Sequence, residues 1–172
     1  MQAKAPVRPL VTGVATVELF AIALWAGGLT ALGAIVAPTV FGMVPAPTAA
    51  DAMTLVFRRF DRVAMTCAAV ALVAEAALAA RGGRIGRVDV VRSVVVVLAA
   101  ALAIGQGAFL SPAIEAFHRG GAIRGLGEAG MELHRTHKLA EAAGKGQLVL
   151  LLAALVLVVR KVAAAAAPPP EG

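Results

Sequence analysis

Two groups of polar residues interrupt otherwise apolar stretches of this 172-residue sequence, and they are the residues that could do chemistry. The first group consists of Glu18 and Glu75, which lie in separate apolar stretches, and Arg92 near the start of the next one. Two neighbouring carboxyls bind a proton more readily than one alone, so this pair predicts proton or cation handling. The alternative is that both acids only pair with arginine near the membrane edge.

The second group lies in the stretch ELHRTHKLAEAAGKGQ. On a helix, its polar residues fall within about 100° of one another. This stripe contains His134, His137, Lys138, Glu141 and Lys145. We expect Gln106, near the end of the preceding apolar stretch, to lie at the same level, and Gln147 to point the other way. The pattern predicts a polar entrance to a helix bundle.

The same stripe allows a metal site held by His134, His137 and Glu141. Two histidines at i,i+3 can reach one ion, but the better-known helical chelate is i,i+4 with a distant third ligand. His118 lies across a glycine-rich segment, and a haem would need it to face another histidine. We therefore expect no cofactor, and a metal- or haem-binding redox protein is the alternative hypothesis.

The elements that must position these residues are membrane-spanning helices. The chain is 60% hydrophobic and 15% charged, with a mean hydropathy of +0.86. A soluble domain needs more polar surface than this, so the composition predicts a protein embedded in a lipid bilayer. The net charge of +6 does not indicate nucleic-acid binding, because the basic residues stand at the borders of apolar stretches.

The sequence predicts an all-α, antiparallel four-helix bundle in one domain, residues 1–162, followed by a disordered tail, 163–172. We expect spans at about 11–36, 61–80, 90–110 and 139–159. Short amphipathic helical segments, 49–60 and 113–137, are expected on one face.

Several residues mark the predicted boundaries. Pro38 should end the first helix, Thr48 should cap the second from Ala49, and Pro112 should stop or kink the third. Asp61 is assigned to the polar face of the segment before the second span. Trp25 is mid-span and is expected to fill the bundle core.

An even number of spans places both termini on the same side of the membrane. Lysine and arginine are slightly more numerous on that side and lie in short flanks and turns there. The positive-inside rule then predicts a multi-pass protein of the cell inner (plasma) membrane with cytoplasmic termini.

Four short segments carry a family resemblance: LWAGGLTALGAIVAPTVFGMV, LVFRRFDRV, FLSPAIEAFHRG and ELHRTHKLAE. Together they resemble the transmembrane protein 205-like family, also called domain of unknown function 4149. The matching residues are Trp25, Gly27 or Gly28, Pro38, Phe41, Phe57, Phe60, Pro112 and His134. The resemblance implies a four-span integral membrane protein of a family without an established reaction.

The leading functional hypothesis is a non-enzymatic, transporter-like or accessory membrane subunit whose polar layers admit a proton or small ion. The sequence contains no phosphate loop, nucleophile elbow, zinc-protease helix or CxxC pair, which argues against the common enzyme classes. Besides the lipid bilayer, the expected partners are a second copy of the chain or a partner membrane subunit. A purely structural partner subunit is a further alternative.

Overall fold

The computed structural model describes residues 7–80 and 86–166, and the regular elements in this part of the chain are helices. They are α1 (Val7–Ala31), a first π-helical turn (Leu32–Val36), α2 (Ala37–Met43), α3 (Ala46–Ala79), α4 (Arg87–Gly105), a second π-helical turn (Gln106–Leu110), α5 (Ser111–Arg119) and α6 (Gly127–Ala166).

The described helices form four runs that are long and apolar enough to cross a membrane: Thr12–Met43, Ala46–Ala79, Arg87–Arg119 and Gly127–Arg160. An 18-residue stretch within each run has a mean hydropathy between 1.7 and 2.2. Helix α1 packs on α3 and α6, and α4 packs on the same two helices, which closes a four-helix bundle. The predicted all-α membrane fold is confirmed.

The two ends of the bundle differ. The terminal end contains the starts of α1 and α4 and the ends of α3 and α6, and the loop end contains the connections 44–45 and 120–126. Each run has 32 to 34 residues. At 1.5 Å per residue this is about 50 Å, longer than the hydrocarbon core of about 30 Å. The helices therefore extend beyond the hydrocarbon core.

Prolines do not end the first and third helical runs, contrary to the expectation for Pro38. A π-helical turn precedes each proline, with the Ala37 N–H bonded to the Leu32 carbonyl and the Ser111 N–H bonded to the Gln106 carbonyl. Proline has no N–H and its ring crowds the carbonyl four residues earlier. The wider turn accommodates this, so helical structure continues as α2 and α5.

The ends of the second and fourth runs also differ from the prediction. Helix α3 begins at Ala46, with Pro47 in its first turn, where the missing N–H costs little. Thr48 lies inside the helix and is not its cap. Helix α6 reaches Ala166, so 163–166 are helical where disorder was expected. The rest of the predicted tail, 167–172, and the connection 81–85 lie outside the described residues.

The bundle core is built mostly from small residues around a few large ones. Alanines from α1, α3, α4 and α6 let the helix backbones approach closely, which is how helices associate in lipid. The largest side chains in this core are Ile22, Trp25, Val96 and Leu151. The position expected for Trp25 is confirmed, and many large apolar side chains outside the core face outward, where lipid would cover them.

Close packing predicts different effects for two adjacent glycines of α1. A Cβ on Gly28 would collide with the Phe60 ring of α3, whereas a Cβ on Gly27 has nothing within 4 Å. We expect Gly28→Ala to lower the free energy of unfolding by about 1–3 kcal/mol because Phe60 must move. Gly27→Ala should be neutral in the same thermal-unfolding assay in detergent, and equal stability of the two variants would contradict the packing described.

Candidate functional site

The terminal end of the bundle contains a buried ion-pair cluster, the terminal cluster, made of Glu18, Glu75, Arg92 and Ser93. The Arg92 guanidinium donates from Nε to Glu75 Oε1 at 2.8 Å and from a terminal nitrogen to Oε2 at 3.1 Å. The Ser93 hydroxyl donates to the same Oε2 at 2.7 Å. The side chains come from α1, α3 and α4, so three helices are joined at this level.

Glu18 is the second carboxyl of the terminal cluster and is only 1% exposed. Its Oε1 lies 3.8 Å from Arg92 Nε, so both carboxyls of the terminal cluster face the same guanidinium. Two acids facing one guanidinium carry an excess negative charge when both are ionised, and burying it is unfavourable. The geometry suits a carboxyl pair that holds one proton.

A chain of hydrogen bonds crosses the bundle at the level of Asp61. Along α3, Asp61 is about 21 Å from Glu75 at 1.5 Å per residue. The Trp25 indole N–H donates to Gln147 Oε1 at 3.1 Å, and Gln147 Nε2 donates to Gln106 Oε1 at 3.0 Å. Gln106 Nε2 then donates to Asp61 Oδ1 at 3.3 Å. Each of the four helical runs contributes one residue to this cross-bundle chain, and all four residues are buried.

Sequence reasoning missed this chain. Gln147 does not point away from the bundle but lies at its centre, and Asp61 does not lie on a polar outer face but is 4% exposed. A signal for Asp61 was present: Ala64, Ala68 and Glu75 follow it on the same buried face of α3. Asp61 and Glu75 are about four turns apart at 3.6 residues per turn, so they share that face.

A cavity of about 840 Å³, which we call the vestibule, opens toward the loop end between α2, α3, α5 and α6. Its walls are largely apolar, with Leu29, Phe57 and Leu148 among them, and Gln106 and Ser111 lie at its deep end. The cross-bundle chain therefore touches the vestibule through Gln106. This cavity is large enough for a small molecule.

Part of the predicted entrance stripe lines the vestibule. His137, Glu141 and Lys145 line it together with Gln106. His134 is not among the lining residues and instead accepts a hydrogen bond from Arg124 at 3.1 Å. Lys145 Nζ donates to Glu141 Oε1 at 2.6 Å, and both side chains are more than half exposed. The charged residues of the stripe thus lie at the outer wall rather than inside the bundle.

The chain matches a known protein-family model. A family model described as domain of unknown function (DUF4149) matches residues 20–122, which is more than half of the chain. The chain belongs to the DUF4149 family. The matched region contains Trp25, Asp61, Glu75, Arg92 and Gln106, while α6 lies outside it. Comparisons with curated proteins and with solved structures gave no match.

In this DUF4149 protein the residues considered for a metal do not converge. Glu141 pairs with Lys145, and His134 bonds to Arg124. The His137 ring instead meets the His118 ring edge to face, with centroids 5.9 Å apart. Within 7–80 and 86–166, no three His, Cys, Asp or Glu side chains are grouped so that they could hold a metal ion. The metal hypothesis therefore has no assembled ligand set in the described residues.

In this DUF4149 protein an apolar layer, which we call the plug, separates the terminal cluster from the cross-bundle chain. Ala68, Ala71, Val96, Ala99 and Leu151 are buried in the core that lies between the terminal cluster and the cross-bundle chain. Such a layer has no group to hold water or pass a proton. The described conformation is thus closed between a buried carboxyl pair at one end and a vestibule at the other.

Proposed function

We propose that this protein is a non-enzymatic, transporter-like membrane protein in which the Glu18–Glu75 pair takes up and releases a proton. The observation that carries the proposal is the burial of these two carboxyls beside the single guanidinium of Arg92. Arg92 keeps Glu75 in the charged form through two hydrogen bonds, which makes Glu18 the group that gains and loses the proton.

For transport, the plug must open. Transport needs alternating access, in which one half of the bundle rocks against the other. The two π-helical turns, each followed by a proline, are the places in the described helices where the backbone hydrogen bonds are already rearranged. Rocking at these turns would open the plug, and loss of the Glu18 proton would change the charge at the terminal end.

The proposal includes an orientation of the protein in the membrane. We place the protein in the cell inner membrane with its termini in the cytoplasm, in keeping with the basic flanks of the terminal end. The terminal cluster then exchanges its proton with the cytoplasm. The vestibule faces the opposite compartment.

The test is proton flux into sealed vesicles. Purified protein is reconstituted into liposomes that contain a pH-sensitive dye, and a potassium diffusion potential drives proton entry. We expect entry above that of protein-free vesicles, and a fall to that background in Glu18→Gln, since an amide cannot carry the proton. Glu75→Gln should also abolish the flux, because Glu18 is then the only carboxyl beside Arg92 and stays ionised.

The control is Glu132→Gln, which neutralises an exposed carboxyl paired with Arg135 and should leave the flux unchanged. Each variant must elute as a single species in detergent. Wild-type flux equal to that of empty vesicles, or normal flux in both variants of the terminal cluster, would contradict the proposal.

A further inference from the structure

Asp61 is a buried carboxylate that the proposed function does not use. Its Oδ1 accepts a hydrogen bond from the Gln106 amide, and Ser111 lines the same cavity as Gln106. Its Oδ2 is buried and has no hydrogen-bond partner in the described part of the chain. A buried carboxylate oxygen without a donor is unfavourable. A positively charged ligand bound to Oδ2 would remove this unfavourable state.

The elements around Asp61 supply little positive charge. Arg58, one turn earlier in α3, acts on Asp61 but forms its ion pair with Glu115 of α5. His118, Arg124 and His137 line the vestibule. The sequence has no charged residue from Leu19 to Met43, or between Ser93 and Ser111, so neither α1 nor the end of α4 contributes one. Helix α6 faces this level with the neutral Gln147, and its Glu141 and Lys145 pair with each other near the outside.

The backbone beside Asp61 is the second π-helical turn. A Cβ on Gly107 would lie 3.3 Å from the Asp61 Cβ, so the turn packs against this part of α3. The Ser111 N–H reaches back five residues to Gln106, and Pro112 offers no N–H at all. At least one carbonyl of this turn thus loses its helical donor. Interrupted helices that expose carbonyls beside an acidic side chain coordinate monovalent cations in transporters.

We propose that Asp61, Ser111 and the second π-helical turn form a binding site for one monovalent cation, reached from the vestibule. Gln106 and Ser111 both border the vestibule, and Gln106 also donates to the carboxylate, so Gln106 connects the two. A single carboxylate suits a charge of +1 rather than +2. A proton and a sodium ion share this chemistry, and the experiment separates them. The site is independent of proton uptake at the terminal cluster.

The protein carries its own reporter for this site. Trp25 is the only tryptophan of the chain, which also lacks tyrosine. Its indole N–H is connected to Asp61 through Gln147 and Gln106. A change of charge at Asp61 should alter the polarity around the indole and therefore its emission.

The experiment follows Trp25 emission of the purified protein in detergent. One series replaces choline chloride with sodium or potassium chloride at fixed pH and ionic strength, and a second varies pH in choline chloride alone. Equilibrium binding of radioactive sodium is measured in parallel. We expect a saturable response that disappears in Asp61→Asn and needs about tenfold or more cation in Ser111→Ala, which removes one oxygen ligand. Glu75→Gln should keep the response, even where it abolishes proton flux.

Each outcome is decisive. A sodium response with bound radioactive sodium identifies an alkali ion, and a pH response alone that is lost in Asp61→Asn identifies a proton at the same site. An unchanged response in Asp61→Asn, or no response and no bound sodium in the wild type, overturns the proposal. If Asp61→Asn does not fold, an unaltered response in Ser111→Ala overturns it.

Discussion

Arg92→Ala is expected to lower the free energy of unfolding by about 3–5 kcal/mol, because it leaves Glu18 and Glu75 buried without their guanidinium. Removing one partner of a buried ion pair costs more than the pair itself contributes, since the remaining charge is uncompensated. Thermal unfolding in detergent, followed by circular dichroism, measures the change.

Two comparisons test the cause. Arg135→Ala removes an exposed arginine that pairs with Glu132 and should change stability by less than about 0.5 kcal/mol. The double variant Arg92→Met with Glu75→Gln removes both charges of the closer pair and should recover part of the loss. If Arg92→Ala is as stable as Arg135→Ala, the terminal cluster does not hold the three helices together.

Trp25→Ala should cost about 3–5 kcal/mol in the same measurement, because it empties the centre of the bundle. The indole is completely buried and packs in the core shared by the four spans. In lipid, helix association depends on packing contacts rather than on escape from water, so an empty volume at this place weakens several helix pairs at once.

Two further variants separate packing from hydrogen bonding. Trp25→Phe keeps much of the ring but leaves Gln147 Oε1 without its donor, and should cost about 1–3 kcal/mol. Phe20→Ala removes an aromatic ring of α1 that is 71% exposed, and should have little effect. A Trp25→Ala variant no less stable than Phe20→Ala would contradict the described core.

The two buried polar levels account for how such an apolar chain can carry specific chemistry. The polar side chains of the terminal cluster and of the cross-bundle chain are held by partners from other helices, so their geometry depends on the whole fold. The plug between them keeps the levels separate in this conformation. Events at the terminal cluster and in the vestibule can therefore be probed by different variants.

The sequence by itself determined the number and order of the spans, because a run of about 20 apolar residues has no other stable place than a helix across lipid. Counting residues along two antiparallel helices also placed Glu18 and Glu75 at one level, and the structure has both beside Arg92. The rise of 1.5 Å per residue is a local property, so depth can be read from the chain alone.

Only the tertiary structure decided which side of each helix faces inward. In a soluble protein the apolar face identifies the core, but in a membrane both lipid and core accept apolar residues. The prediction therefore directed the stripe with Glu141 and Lys145 inward and Gln147 outward, whereas Gln147 is the buried one. The second π-helical turn adds a change of helical register before Pro112 that no periodic pattern contains, and it is this turn that packs Gln106 and Gly107 against Asp61.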